Sequence, residues 1–256
     1  MMILLISFVF GAAVGSFLNV CIARIPSGES IVRPPSRCPK CGAGIRVYDN
    51  VPLFGYLFLR GRCRDCKEPI SLRYPLIEAL TGFLFALLVY RFELSPPIIA
   101  YAAFVSALIV VSFIDLDHQI IPDGISLPGI VVGLLFALSG YGPGFVDSLL
   151  GVLLGGGTLW AVAAGYEWLR GQEGMGGGDI KLLAMIGAFL GWRAVLVTLI
   201  VGSLTGAILG SLRILIQRTQ AGVPIPFGPF LAIGALIALF AGEQLIDWYL
   251  GLAFAL

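Results

Sequence analysis

Residues 2–23 read MILLISFVFGAAVGSFLNVCIA, an unbroken run without a charged side chain. As a helix this run rises about 1.5 Å per residue and reaches across the roughly 30 Å hydrocarbon core of a bilayer. The rest of the chain is of the same kind: 58% of its 256 residues are hydrophobic, 12% are charged, and mean hydropathy is +0.97. Soluble domains hold about 45–50% apolar and about 25% charged residues, so an ordinary cytosolic enzyme is excluded. The 34 glycines follow no Gly-X-Y period and the apolar content far exceeds that of disordered chains, which removes collagen and low-complexity classes. A formal net charge of +1 gives no ground for a nucleic-acid partner. This is the composition of a polytopic membrane protein, with the lipid bilayer as its first partner.

Apolar stretches set against charges and loop breakers predict eight transmembrane helices, over 2–23, 75–92, 96–114, 125–140, 146–169, 179–192, 194–217 and 228–250. The one long polar stretch runs from Arg24 to Arg73 and holds ten of the sixteen Lys and Arg. No basic residue precedes the first span and no small-residue cleavage site follows it, so it is expected to stay attached. Positive charge after that span puts the N-terminus outside and the 24–73 loop in the cytoplasm. The outward connections then carry only Arg91 and Arg193, and the cytoplasmic side carries the other fourteen, including Arg170, Lys181, Arg213 and Arg218. Glycines recur every fourth residue at Gly11 and Gly15, Gly129 and Gly133, Gly151 and Gly155, and Gly202, Gly206 and Gly210. Such small faces let helix backbones approach in lipid.

Inside the polar loop, Cys38-Pro39-Lys40-Cys41 and Cys63-Arg64-Asp65-Cys66 form two close pairs separated by 21 residues. This is the spacing of a four-thiolate zinc ribbon, in which two intervening residues let both sulfurs of a pair face one ion. Gly42 eases the first turn. Lasting disulfides do not suit a cytoplasmic loop, and a redox dithiol needs only one pair. A loop of about 50 residues cannot build a sizeable core alone, so Cys38, Cys41, Cys63 and Cys66 are expected to hold Zn2+ structurally, with no open position for hydrolysis. Cys21, within the first span, reads as a small buried apolar residue. The expected architecture is therefore all-α and polytopic, with about eight transmembrane helices and a small cytoplasmic four-cysteine zinc-binding insertion between the first and second.

Ionisable groups inside spans are costly and therefore informative. Asp115 ends the third span in Phe113-Ile114-Asp115-Leu116-Asp117-His118-Gln119-Ile120-Ile121-Pro122-Asp123, and Asp179 begins the sixth in Gly176-Gly177-Gly178-Asp179-Ile180-Lys181. The topology brings both to cytoplasmic helix ends. Two carboxyls held together in a low-dielectric site share one proton, a state suited to peptide hydrolysis: the ionised partner takes a proton from water and the other donates to the carbonyl oxygen. Glycines before Asp179 leave room for a peptide beside the carboxylate. A cap or helix-dipole role explains Asp179 without chemistry, and both accounts stand on the spacing alone. Asp117 and His118 are expected in solvent beyond the helix, Asp123 as an N-cap of the fourth span, and Asp147 likewise at the fifth; Lys181 and Glu167 suit pairing with neighbours or headgroups.

In this order, these motifs resemble the bacterial prepilin peptidases, the type IV leader peptidases of the Gly-x-Gly-Asp aspartyl intramembrane protease group. The resemblance covers nearly the whole chain and also takes in Gly15-Ser16-Phe17-Leu18-Asn19-Val20 with Arg24 and Pro26, Tyr48-Asp49-Asn50-Val51-Pro52-Leu53, Leu59-Arg60-Gly61-Arg62-Cys63, and Ser71-Leu72-Arg73-Tyr74-Pro75 leading to Glu78. It implies a bifunctional enzyme that removes the basic leader of type IV prepilins and pseudopilins after a glycine, then N-methylates the new terminal residue with S-adenosylmethionine. It carries the protease dyad to Asp115 and Asp179 and zinc ligation to Cys38, Cys41, Cys63 and Cys66. It makes Gly61, Arg62 and Glu78 candidates for methyl transfer, although Gly61 also suits a tight turn and Glu78 a pair with Arg73. Members lacking the cysteine loop are thought to be peptidases only; this chain keeps all four thiols, which favours methylation.

The implied organisation is a first transmembrane helix over 1–23, a cytoplasmic zinc-binding loop domain over 24–74 and a seven-helix aspartyl protease domain over 75–256, in the bacterial inner membrane. A substrate with a basic leader and an apolar helix would be cut at the membrane edge, where a glycine lowers the cost of unwinding. Three rivals remain open at this point. A peptidase-only member would use zinc purely for structure. A proton-coupled transporter requires acids at mid-membrane depth, and a zinc-loop docking module makes the approach of Asp115 and Asp179 accidental.

Overall fold

The computed structural model describes residues 1–171, 176–217 and 226–254, and among them helices account for nearly all regular structure. The only β pairing in those residues is two isolated bridges, Arg37 with Gly44 and Arg62 with Pro69. The chain forms two compact units, Met1–Val110 and Val111–Leu256.

In the first unit, α1 (Met2–Arg24) packs along α3 (Arg73–Phe92). Small residues set the approach: a Cβ on Gly11 would lie 2.7 Å from the Cβ of Phe85, and one on Gly15 would lie 2.8 Å from the Cα of Glu78. The expected small face of this helix is thus its contact face, as lipid requires where apolar burial offers no drive to associate. Asn19 Nδ2 donates to the Tyr74 carbonyl at 3.2 Å, joining the end of α1 to the start of α3. Between these helices the polar loop forms a cysteine module with a 3-10 turn, Val47–Asp49, and the short α2 (Phe54–Phe58). The next helix, α4 (Ile98–His118), crosses from one unit's residues to the other's and buries Phe104, Val105, Leu108, Val111 and Ile114.

The second unit holds α5 (Asp123–Leu138), α6 (Phe145–Arg170), α7 (Gly177–Gln217) and α8 (Gly228–Phe254). A straight helix of 41 residues would be about 60 Å long, twice the hydrocarbon thickness. Gly191 resolves this with φ 79° and ψ 174°, a backbone state that side-chain-bearing residues rarely adopt, and divides α7 into 177–190 and 192–217. The first segment meets α5 at Gly133 against Ala188 and α6 at Gly151 against Gly187; the second meets α8 at Gly206 against Phe230 and Gly234 against Thr198. These are the two spans expected over 179–192 and 194–217. Large apolar side chains such as Phe10, Leu153, Ile200 and Leu204 remain exposed, as faces turned to lipid must be.

Among the described residues, six helices are long and apolar enough to cross a membrane by length and composition. The helix expected over 125–140 keeps that length, 16 residues, but runs over Asp123–Leu138 between the caps Pro122 and Ser139, and is shorter than these six. Three local expectations are corrected. The third span continues past Asp115 to His118, so Asp115, Asp117 and His118 all belong to the last turns of α4. Asp123 is the first residue of α5 behind the N-cap Pro122, and its carboxylate accepts from Lys181 Nζ at 2.7 and 2.8 Å instead of capping the helix. Asp147 lies in the first turn of α6 behind the N-cap Gly144 and accepts from Trp192 Nε1 at 3.1 Å. Arg218 lies outside the described residues, as does the side chain of Arg213.

Candidate functional site

The cysteine module is built from two turns of the same design. In the first, Cys38 N donates to Ala43 O at 2.9 Å and Gly42 N to Cys38 O at 2.9 Å; in the second, Cys63 N donates to Glu68 O at 2.8 Å and Lys67 N to Cys63 O at 3.1 Å. Each bridge noted above opens one of these turns. The residue after the second cysteine has positive φ in both, 73° at Gly42 and 61° at Lys67. The second turn tolerates a non-glycine there, and Lys67 Nζ donates to the Arg64 carbonyl at 2.8 Å. Arg64 donates to Asp49 from Nε at 2.7 Å and Nη2 at 2.5 Å, tying this turn to the 3-10 turn. That guanidinium holds the Asp49 carboxyl below the usual carboxylate range.

The four sulfurs lie within 4.8 Å of one another, with Cys38 Sγ and Cys66 Sγ 3.9 Å apart. A tetrahedral ion with bonds of about 2.3 Å to sulfur separates its ligands by about 3.8 Å, so this donor set fits a metal ion. The thiols differ in acidity. Backbone N–H groups of Cys41 and Lys40 draw Cys38 down to about 7. At Cys66 the Glu68 backbone N–H pulls the other way, but burial and the three neighbouring thiols push it up to about 12. A bound cation removes this competition by deprotonating the ligands.

Of the residues singled out beside this module, Gly61 has φ 66°, and a Cβ there would stand 2.7 Å from the Tyr56 hydroxyl, so the turn demands glycine. Arg62 starts the second cysteine turn through its bridge to Pro69. Glu78 is 9% exposed; its Oε2 accepts from Leu53 N at 2.8 Å and it also bonds the Ser16 side chain, so its partners are these and not Arg73.

The second unit contains the acids. Asp115, 5% exposed, sits in the last turns of α4, and its Oδ2 accepts the Gly228 N–H at 2.9 Å at the start of α8. Asp179 is the third residue of α7, with its N–H directed to the Gly176 carbonyl at 3.3 Å. Its Oδ1 is buried without a hydrogen-bond partner among the described residues, and it lies within electrostatic range of Asp115. Of the preceding glycines, Gly178 packs on Ile121, where a Cβ would come to 2.8 Å, while a Cβ on Gly176 or Gly177 would meet no atom of the described residues within 4 Å. Both acids therefore stand at helix ends, with an open backbone beside one of them. Gly228 is the participant that motif reading passed over; the clue available was Gly228-Pro229, a sequence suited to opening a helix.

Residues 9–92, which contain the cysteine module, match the family model for the bacterial peptidase A24 N-terminal domain, and residues 102–211, which contain both acids, match that for the type IV leader peptidase family. Similar curated proteins carry the name prepilin leader peptidase/N-methyltransferase. One from Aeromonas hydrophila is 40% identical over 95% of this chain and 92% of its own length. One from Stutzerimonas stutzeri is 38% identical over 97% and 94%, and one from Neisseria gonorrhoeae 38% over 94% and 93%. No solved structure matches the chain. With identity of this order over nearly the full length of both partners, the chain belongs to the type IV leader peptidase family.

Proposed function

We propose that this multi-pass membrane protein is a bifunctional prepilin-processing enzyme: an aspartyl endopeptidase that removes the basic leader of type IV prepilins and pseudopilins after a glycine, and an N-methyltransferase acting on the amine so exposed. Its setting is the bacterial inner membrane, with the N-terminus outside and the 24–74 zinc domain cytoplasmic, joined to the 75–256 protease domain. The observation that carries this reading is the approach of two carboxyls within electrostatic range, buried Asp115 at the C-terminal end of α4 and half-buried Asp179 at the start of α7, inside a segment matching the leader peptidase family.

Asp115 and Asp179 form the catalytic dyad and share one proton. A backbone N–H at the start of α8 favours negative charge on Asp115, while Asp179 Oδ1 has no donor among the described residues, which supports Asp179 as the proton carrier. Asp115 takes a proton from water as its oxygen attacks the scissile carbonyl, and Asp179 gives its proton to the carbonyl oxygen. As the C–N bond breaks, Asp115 returns a proton to the leaving nitrogen and Asp179 recovers one from the hydroxyl, which restores the starting state. Open backbone at Gly176 and Gly177 gives an extended substrate room beside Asp179.

The four cysteines hold Zn2+ as a structural ion that folds the module. S-Adenosylmethionine, when bound, supplies the methyl group and leaves as a neutral thioether. Gly61 and Arg62 serve that reaction by shaping the second cysteine turn, and Glu78 by its buried carboxyl. Incubating purified enzyme with a prepilin and S-adenosylmethionine, then measuring product mass, tests both halves: loss of the leader and gain of one methyl are separate outcomes. An intact prepilin overturns the peptidase assignment, and a cut but unmethylated product overturns the transferase assignment. Cys38→Ser or Cys63→Ser is expected to lose most bound zinc, measured by metal release, with methylation falling at least as far as cleavage. Full zinc content in either variant contradicts the ligand assignment.

A further inference from the structure

Within the first unit, the short helix α2 is tied deeper than its polar surroundings suggest. Its N-cap Leu53 has φ 62° and ψ −50°, and Phe54 N donates to Pro52 O at 2.6 Å, a tight three-residue turn of a rare, strained kind. That turn aims the Leu53 N–H at Glu78 Oε2, 2.8 Å away. Glu78 stands five residues inside α3, so the contact falls about 7.5 Å beyond that helix's start at Arg73. Ser16, which also bonds Glu78, lies eight residues before the end of α1, about 12 Å inside it. Both helices are long and apolar enough to span a membrane, and the 20 residues of α3 match the roughly 30 Å hydrocarbon core with none to spare. The start of α2 is therefore held at membrane depth. At that level α3 turns Leu76, Leu80 and Phe83 outward at helical spacing, so lipid already stands beside it.

The two faces of α2 differ. Gly55 is buried against the Asp49 carbonyl and Tyr56 brings its hydroxyl to Gly61, so these two hold the cysteine module. Phe54, Leu57 and Phe58, spaced i, i+3 and i+4, share another face and are 56%, 66% and 81% exposed. The Phe54 and Phe58 rings stack with centroids 6.4 Å apart. Charge follows the same plan: from Asn50 to Arg64 the chain holds three arginines and no acid. Arg64 is taken by Asp49, whereas the exposed Arg60 and Arg62 side chains have no partner among the described residues. The other acids of the polar loop, Glu29, Asp65 and Glu68, fall outside this stretch, and the loop as a whole sets ten Lys and Arg against four Asp and Glu. An apolar helix face followed within a turn by unpaired cations suits the boundary between acyl chains and anionic headgroups. We propose that α2 is an interfacial helix: Phe54, Leu57 and Phe58 insert among the acyl chains of the leaflet on the module's side, and Arg60 and Arg62 bind the phosphates of anionic phospholipids. The module is then fixed to the bilayer at three places, the ends of α1 and α3 and the apolar face of α2.

Photocrosslinking of the full-length protein in vesicles of phosphatidylethanolamine and phosphatidylglycerol at about 3:1 tests this. With p-benzoylphenylalanine in place of Phe58, or of Leu57 in a second variant, irradiation is expected to join the side chain to a phospholipid, read by mass. Phosphatidylglycerol is expected among the adducts at about three times its molar share, and Arg60→Gln with Arg62→Gln is expected to return it to about that share. Thermal melting reports the fold of each variant. Adducts on a second copy of the chain in place of lipid, or no lipid adduct at either position in folded protein, overturn the insertion of α2. Equal phosphatidylglycerol shares with and without the two arginines overturn their place at the phosphates.

Discussion

Asparagine at either Asp115 or Asp179 is expected to lower leader cleavage by about a thousandfold or more while the protein stays folded, inserted and loaded with zinc. Each substitution preserves shape. The amide oxygen of an asparagine at 115 can still accept the Gly228 N–H that now lies 2.9 Å from Oδ2, so α8 keeps its anchor while the base is lost. At 179 an asparagine retains volume next to Gly178 and loses the transferable proton. Because the proposed mechanism has the two groups act as one unit around a shared proton, the double variant is expected to be scarcely worse than either single one. Single-turnover cleavage of a prepilin in detergent, followed by mass, measures the effect, and thermal melting checks the fold. A synthetic peptide bearing the mature N-terminus should still be methylated by both variants, because that reaction makes no use of the dyad. Cleavage at more than a tenth of the wild-type rate in either single variant rejects the pair as the hydrolytic site.

Much of this protein is legible in its sequence because lipid imposes strict rules. Each spanning segment must satisfy its own backbone, so apolar runs bounded by charges locate helices, including the pair hidden in α7 on either side of Gly191. Four-residue glycine spacing marks real contact faces at Gly11 and Gly15, Gly129 and Gly133, and Gly151 and Gly155. Cysteine spacing likewise brings four sulfurs to one point, since two intervening residues leave little freedom. What sequence does not carry is the partner of each polar group. Lys181 reaches Asp123 across 58 positions, and Asp115 accepts a backbone N–H from 113 positions away. The first pair leaves only two charges to match by trial, and the second leaves no side-chain trace at all. Helix ends are similarly hidden: hydropathy places Asp115 at the terminus of its span, but the helix continues to His118 through exposed Asp117 and His118, which can reach water. Hydropathy ends a span where charge begins, whereas the backbone helix continues until its hydrogen bonds give out.

Alanine at Gly228 is expected to cut peptidase turnover about a hundredfold, an effect out of proportion to one added methyl group. Its Cβ would stand 2.8 Å from Oδ2 of Asp115, 3.3 Å from Cγ and 3.4 Å from Cβ. Relief requires either the carboxylate or the start of α8 to retreat. Asp115 is buried in a packed helix, so the displacement falls on the hydrogen bond that orients the base. Misplacing a reacting group by about 1 Å costs on the order of a hundredfold in rate. The loss should appear in kcat more than in KM, because open backbone at Gly176 and Gly177 still receives the peptide. Global stability should scarcely change, since replacing glycine by alanine in a helix gains about 0.5–1 kcal/mol before strain is counted. Valine, bulkier at the same atom, should reduce turnover further. Gly124→Ala supplies the comparison: it adds the same methyl group near the start of α5, where no heavy atom of the described residues lies within 4 Å, and should cleave at the wild-type rate. If Gly228→Ala and Gly124→Ala process prepilin equally well, the amide at the head of α8 does not hold the base, and Asp115 must be oriented by some other contact.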